Sequence, residues 1–364
     1  MGRKLLSLAL SLLCLPSNTL STNSARAAAP VAASRTINTS PDHNKSDWID
    51  VRVSPLFDLY YFARKLAAAQ GGPEGYEWLG EAVDATRQLE KDFGGRFTPP
   101  WSIIDENLIK CETAAEAVTE FERLPETTQF RGRTFAVREG ALRLARALAA
   151  AEPKFVELVW TPQHKATVED AAARVAKVFE PRERKALAFI SKTLSASGPA
   201  RPLAIYLVAE SHYPGGFTYL RDDGGTLSVV AVSRNAGTLL YESILHEAIH
   251  CLDGVGSGGS TEGAQAGTLL MELRGRLRKA GVAESDLHDA AHLVIFAAAA
   301  ATVRHVIDKQ HTPYAEVAKV YERMPRVNSL APVWAAYFDG KLTREAALAQ
   351  SVEKLTSKDL PKIR

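Results

Sequence analysis

The chain has 364 residues, 46% of them hydrophobic and 24% charged, and a net charge of +2. That length is enough for one large domain or two modest ones with a sizeable core, and the composition is that of a globular protein rather than a disordered or fibrous one. Lys and Arg are scattered and form no phosphate-binding stripe, so the sequence points to no nucleic-acid partner.

The N-terminus reads as a targeting segment. Arg3 and Lys4 precede an apolar run, Leu5 to Pro16, that is too short to span a bilayer, and Ala25-Arg26-Ala27 offers a small-residue cleavage site. Residues 1–27 are therefore expected to be a signal peptide. Ala28 would begin an exported chain, periplasmic or extracellular, with no membrane span after cleavage. Leu13 precedes Cys14 where a lipoprotein signal needs a small residue. Cleavage leaves Cys111 and Cys251, which export permits to pair but which make no disulfide scaffold. Residues 28–46, rich in Ala, Ser, Thr, Asn and Pro, read as a flexible linker.

Residues 47–197 read as a helical region. Phe57, Tyr60, Tyr61, Ala63 and Leu66 recur at helical spacing and predict a helix over 55–69, ended by Gly71-Gly72-Pro73. Further helices are predicted at 76–92, 113–123, 138–151, 166–179 and 181–195, with a break at Pro99-Pro100. From residue 198 the pattern changes. LAIYLVAES (203–211) is a continuous apolar, strand-like run, and 217–221 and 226–233 follow across Gly- and Asp-rich turns. These segments predict a small, mostly antiparallel sheet. Helical periodicity returns at Thr238, read as an N-cap, and runs to Gly254, read as a C-cap. A glycine-rich stretch (254–260), helices at 261–280 and 286–308 and a C-terminal helical region complete the chain. The expected fold is α+β and predominantly helical, with a catalytic region over 198–364, or one continuous domain over 47–364.

The predicted helix from Thr238 carries His246, Glu247 and His250 as H-E-x-x-H. Residues four apart lie one turn apart on one helical face, so both imidazoles can reach a common ion. Zinc favours such nitrogen ligands and, in catalytic sites, keeps an open position for water. Glu247 is rotated away from the ion but within reach of that water, as a general base needs to be. Leu240, Leu245, Ala248, Ile249 and Leu252 form the apolar face of the same helix. No nucleophile elbow, phosphate loop or catalytic-cysteine signature accompanies the motif.

Strands followed by an H-E-x-x-H helix and a helical C-terminal part resemble the zincin superfamily of zinc metallopeptidases over about residues 200–320. The resemblance implies a Zn2+-dependent hydrolase acting on a peptide or protein, with a sheet edge strand that binds substrate. By similarity 226–233 is that strand. The metzincin extension is excluded, because Asp253 and Gly256 stand where it needs Gly and His. The gluzincin pattern needs a glutamate from a following helix, and Glu262 and Glu272 are available; Asp253 reads as a neighbour of the site. His292, at the head of the very apolar 292–301 stretch, is preferred as third ligand over His288, Glu262 and Glu272, since a histidine in such a helix is costly without a partner. This stretch is similar to a bacterial subgroup of zincin-like proteins. Zincins stabilise the oxyanion with a Tyr, His or Arg from the C-terminal side, which makes Tyr314 and Arg304 candidates and leaves His305 and His311 as bystanders. Two other readings stay open on the residues: a zincin-framed binding protein without catalysis, and a zinc hydrolase acting on a non-peptide substrate.

Overall fold

The computed structural model describes residues 48–69, 74–95, 100–130, 133–198, 202–212, 215–220, 226–253 and 267–357. The expected signal peptide, the linker and the glycine-rich stretch 254–260 lie outside these residues.

The chain opens on β1 (Ile49–Val53) and α1 (Pro55–Ala68). Ser54 caps α1 by accepting the Phe57 N–H at 3.3 Å, and Pro55 sits at the first helical position, where its missing N–H is no loss. A 3-10 turn leads into α2 (Gly80–Asp92). Next comes α3 (Pro100–Leu108), which starts at the proline pair read from sequence as a break. After α4 (Ala114–Phe121), strands β2 (Thr127–Phe130) and β3 (Arg133–Ala136) form a two-stranded antiparallel ladder. Helix α5 (Arg138–Leu158) runs through Pro153 instead of stopping at 151, and is followed by α6 (Pro162–Phe179) and α7 (Glu183–Leu194). Strands β4 (Leu203–Val208), β5 (Gly216–Leu220) and β6 (Thr226–Ala231) lead to α8 (Thr238–Asp253), the helix that carries the H-E-x-x-H motif. The C-terminal part holds α9 (Leu269–Lys279), α10 (Glu284–Val306), α11 (Tyr314–Val317), α12 (Ala331–Phe338) and α13 (Arg344–Thr356).

The fold is α+β and mostly helical around one four-stranded sheet of order β1-β4-β6-β5. β1–β4 and β4–β6 are parallel pairs, and only β5–β6 is antiparallel. The expectation of a mostly antiparallel sheet is therefore corrected. The reason lies in β4: a strand that is apolar at every position is covered on both faces, which is the habit of parallel strands. Leu203, Ile205 and Leu207 enter one core, with α6 to α10. Ala204, Tyr206 and Val208 enter a second core, with α1 to α5.

A second correction follows from the strand order. The segment 226–233, expected to be the edge strand, forms an inner strand, and the edge beside α8 is β5. The N-terminal helical region is also woven into the sheet. β1 pairs along its whole length with β4, and the Glu183 carboxylate at the start of α7 accepts the Trp48 and Ile49 N–H groups at 2.6 and 2.9 Å. Cys111 and Cys251 are not joined in a disulfide.

Helix α10 is buried on nearly every side and packs against α8, α9, α12 and α7. Among the described residues it is the one helix long and apolar enough to cross a membrane, and 83% of that window is enclosed by protein. It is a core helix that is apolar all round.

Candidate metal centre

Gly237, with φ of +57°, turns the chain from β6 into α8. Ile244, Leu245, Ala248, Ile249 and Leu252 bury the core side of this helix. His246 and His250 project towards α10. There His292 completes a cluster whose three ligand atoms lie within 4.8 Å of one another. His246 Nε2 lies 3.0 Å from His292 Nε2 and 3.2 Å from His250 Nε2. Two nitrogens about 2.0–2.1 Å from a tetrahedral zinc stand roughly 3.3 Å apart, so the spacing suits one ion.

The electrostatics agree with the spacing. Burial, and then the neighbouring imidazoles, hold His246 and His292 well below the usual imidazole range. Both are therefore neutral at pH 7, with lone pairs to offer, as metal ligands must be. Phe296, one turn beyond His292, lies against both rings, with centroids 4.2 Å from His246 and 4.9 Å from His292. These donors fit a divalent ion that takes imidazole nitrogen.

Glu247 is buried between α8 and β5. Its Oε2 accepts the Thr218 hydroxyl at 2.6 Å, and Thr218 is itself 2.6 Å from Ser228 Oγ on β6. Burial pushes the Glu247 carboxyl up to about 8, against the opposing pull of Thr218. A cation among the adjacent imidazoles would favour the carboxylate and bring that value down. Gly216 makes room for this side chain: a Cβ there would sit 2.6 Å from Glu247 Oε1. Gly215 does the same for Tyr314, whose hydroxyl would be 3.1 Å from an added Cβ. Asn235 fixes the start of β5, donating to the Gly215 carbonyl at 3.3 Å and the Ala231 carbonyl at 2.6 Å.

Tyr314 thus belongs to the same neighbourhood. Its ring stacks on Phe296, with centroids 6.2 Å apart and planes at 4°, and burial raises its phenol above the usual range. Arg304 does not. It lies three turns beyond His292 on α10, about 18 Å along the helix, and its guanidinium stands 3.9 Å from Asp339. The sequence reading of Arg304 as an oxyanion donor is corrected accordingly.

The other ligand alternatives are also located. His288 lies one turn before His292, with ring centroids 6.0 Å apart, and is outside the cluster. Glu272 is bound to Arg276 and Arg344 on the surface of α9. Glu262 and the side chain of Asp253 lie outside the described positions. Cys251 points away from the ligands, to the Glu247 carbonyl at 3.3 Å.

Sequence reasoning missed three contributors: Gly215, Gly216 and Thr218. The two glycines sit where a turn was expected, and no local signal separates a turn glycine from one that clears space for a distant side chain. Compared with family models, curated proteins and solved structures, the chain matches none.

Proposed function

We propose that this chain is an exported zinc-dependent hydrolase of zincin type that cleaves a peptide or protein. The observation that carries the reading is the convergence of three imidazole Nε2 atoms, with that of His246 3.0 and 3.2 Å from the other two, beside a buried glutamate next in sequence to His246. His246, His250 and His292 would hold the ion, which when bound polarises a carbonyl oxygen and makes a water more acidic.

The chain's own groups divide the remaining work. The Glu247 carboxylate, oriented by Thr218, takes a proton from the attacking water and passes it to the leaving amine nitrogen. The Tyr314 hydroxyl donates to the carbonyl oxygen as negative charge gathers there. Among the described residues β5 is an outer strand of the sheet, laddered to β6, and an outer strand supports binding of an extended substrate by strand addition.

The test is zinc content, measured by elemental mass spectrometry on the purified mature chain, together with hydrolysis of a peptide library. About one zinc per chain is expected. It should be lost in His246→Ala and His292→Ala and kept in His288→Ala. Glu247→Gln should keep its zinc and lose hydrolysis. A wild type that takes up no zinc, or a Glu247→Gln variant that cleaves as the wild type does, would overturn the proposal.

A further inference from the structure

Below the candidate centre a second polar group is enclosed in the core. Glu242 is 1% exposed and lies one turn before His246 on α8. A carboxylate in such a place is costly unless charge-assisted hydrogen bonds compensate it. Its Oε2 receives two. His311 Nε2 is 2.6 Å away, and the Tyr314 backbone N–H donates at 2.7 Å. His311, 5% exposed, is held at its far nitrogen, where Nδ1 meets Thr238 Oγ1 at 2.7 Å.

Both contacts of Glu242 lead to one short segment, His311 just before α11 and Tyr314 at its first position. Helix α11 has only four residues and no side-chain cap of its own. Too short to be rigid by itself, it is fastened at its first residue to the helix that carries two metal-ligand candidates. Tyr314 is then fixed at three points: its N–H on Glu242, its ring on Phe296 and its hydroxyl beside Gly215. Positions 242 and 246 are one turn, about 6 Å, apart on a rigid rod. The rod therefore sets the separation between the imidazole cluster and the tyrosine hydroxyl. A polar group retained only for stability would not need to bind the backbone of this particular residue.

We infer that Glu242, with His311, is a positioning residue that sets the Tyr314 hydroxyl against the metal centre. The inference rests on the zinc reading above, and the experiment separates the two. The protein is loaded with cobalt(II) in place of zinc and titrated with acetohydroxamate, a metal-binding mimic of a hydrated carbonyl, followed by visible absorption. Variants are Tyr314→Phe, Glu242→Gln, His311→Gln and the Glu242→Gln/Tyr314→Phe double.

The cobalt spectrum without acetohydroxamate should be unchanged in all of them, because the ligands are untouched. Loss of one hydrogen bond to a charged group should weaken acetohydroxamate binding about tenfold or more in Tyr314→Phe. Glu242→Gln should lose a similar factor, and the double variant should be no weaker than either single, since both remove the same contact. His311→Gln should move in the same direction and supplies the test if Glu242→Gln fails to fold. Wild-type affinity in the Glu242 and His311 variants, or losses that multiply in the double, would overturn the inference and leave the zinc reading standing. So would a lower Tm with unchanged affinity per bound cobalt. A wild type that takes up no cobalt removes both.

Discussion

Gly216→Ala adds one methyl group at the place where Glu247 keeps its carboxylate. The new carbon would lie 2.6 Å from Oε1, 2.9 Å from Cγ and 3.0 Å from Cδ, where ordinary contact begins at 3.4 Å. The carboxylate or the strand must therefore give by about 0.8 Å. β5 is laddered to β6 and packed on α8, so the side chain yields first and its 2.6 Å bond from Thr218 is broken. A displacement of this size at a reacting group costs on the order of 100-fold in rate. Peptide hydrolysis should fall by that factor or more, while zinc stays at about one per chain because no ligand has moved. Overpacking should also cost roughly 1–3 kcal/mol, visible as a lower Tm. The assay is cleavage of a quenched peptide library beside elemental analysis and a thermal melt. A folded, zinc-loaded Gly216→Ala protein with wild-type turnover would refute the placement of the general base.

Three other outcomes are expected. In the chelator-stripped protein His246 and His292 are held well below 6.5, so the unfolded chain binds more protons once pH drops under that value. Glu247, pushed up to about 8, acts in the opposite sense, because the folded chain holds its proton between about pH 4.5 and 8. Metal-free stability from these three groups should therefore peak near pH 6.5 and fall by ~1.4 kcal/mol per pH unit on either side, as read by urea midpoints at pH 7.5, 6.5 and 5.5. Gly275→Ala lies on an exposed turn of α9 with no atom within 4 Å of the added carbon, and should gain about 0.5–1 kcal/mol in the same melts. Cys111 is pushed up to about 11, first by burial and then by Glu120 and Glu116, so about one molecule in a thousand is thiolate at pH 8. Ellman's reagent should label it only after unfolding.

What could be read from the sequence depended on the range of the interaction. The pairing of His246 with His250 is a property of one helix, and a period of 3.6 residues is enough to foresee it. His292 stood out for a different local reason, a single imidazole heading a run of apolar residues. Nothing local announces Glu242 or His311. Each is an ordinary polar residue until the fold sets the chain near residue 311 against the first turns of α8. The direction of the sheet was misjudged because β4, β5 and β6 follow one another across short turns, which suggests a meander. In fact β6 inserts between β4 and β5, and β1 arrives from far upstream to pair with β4. The helices missed or cut short, α3 and α5, both involve proline. A rule that treats proline as a stop fails where it begins a helix or where packing holds the helix together around it.

The long reach from β1 to β4 bears on how the chain is made. Residues 49–53 emerge early, yet among the described residues their strand partner is 203–207, so the first strand must wait through the synthesis of α1 to α7 before it can pair. Contacts so distant in sequence close late and slowly. Until then the helices of the first half have no sheet to lie on, and Leu56, Phe57 and Tyr60 of α1 stay uncovered on the side that Ala204, Tyr206 and Val208 will fill. The first half also cannot later be shed as a removable leader, because it forms one wall of the sheet it would leave behind.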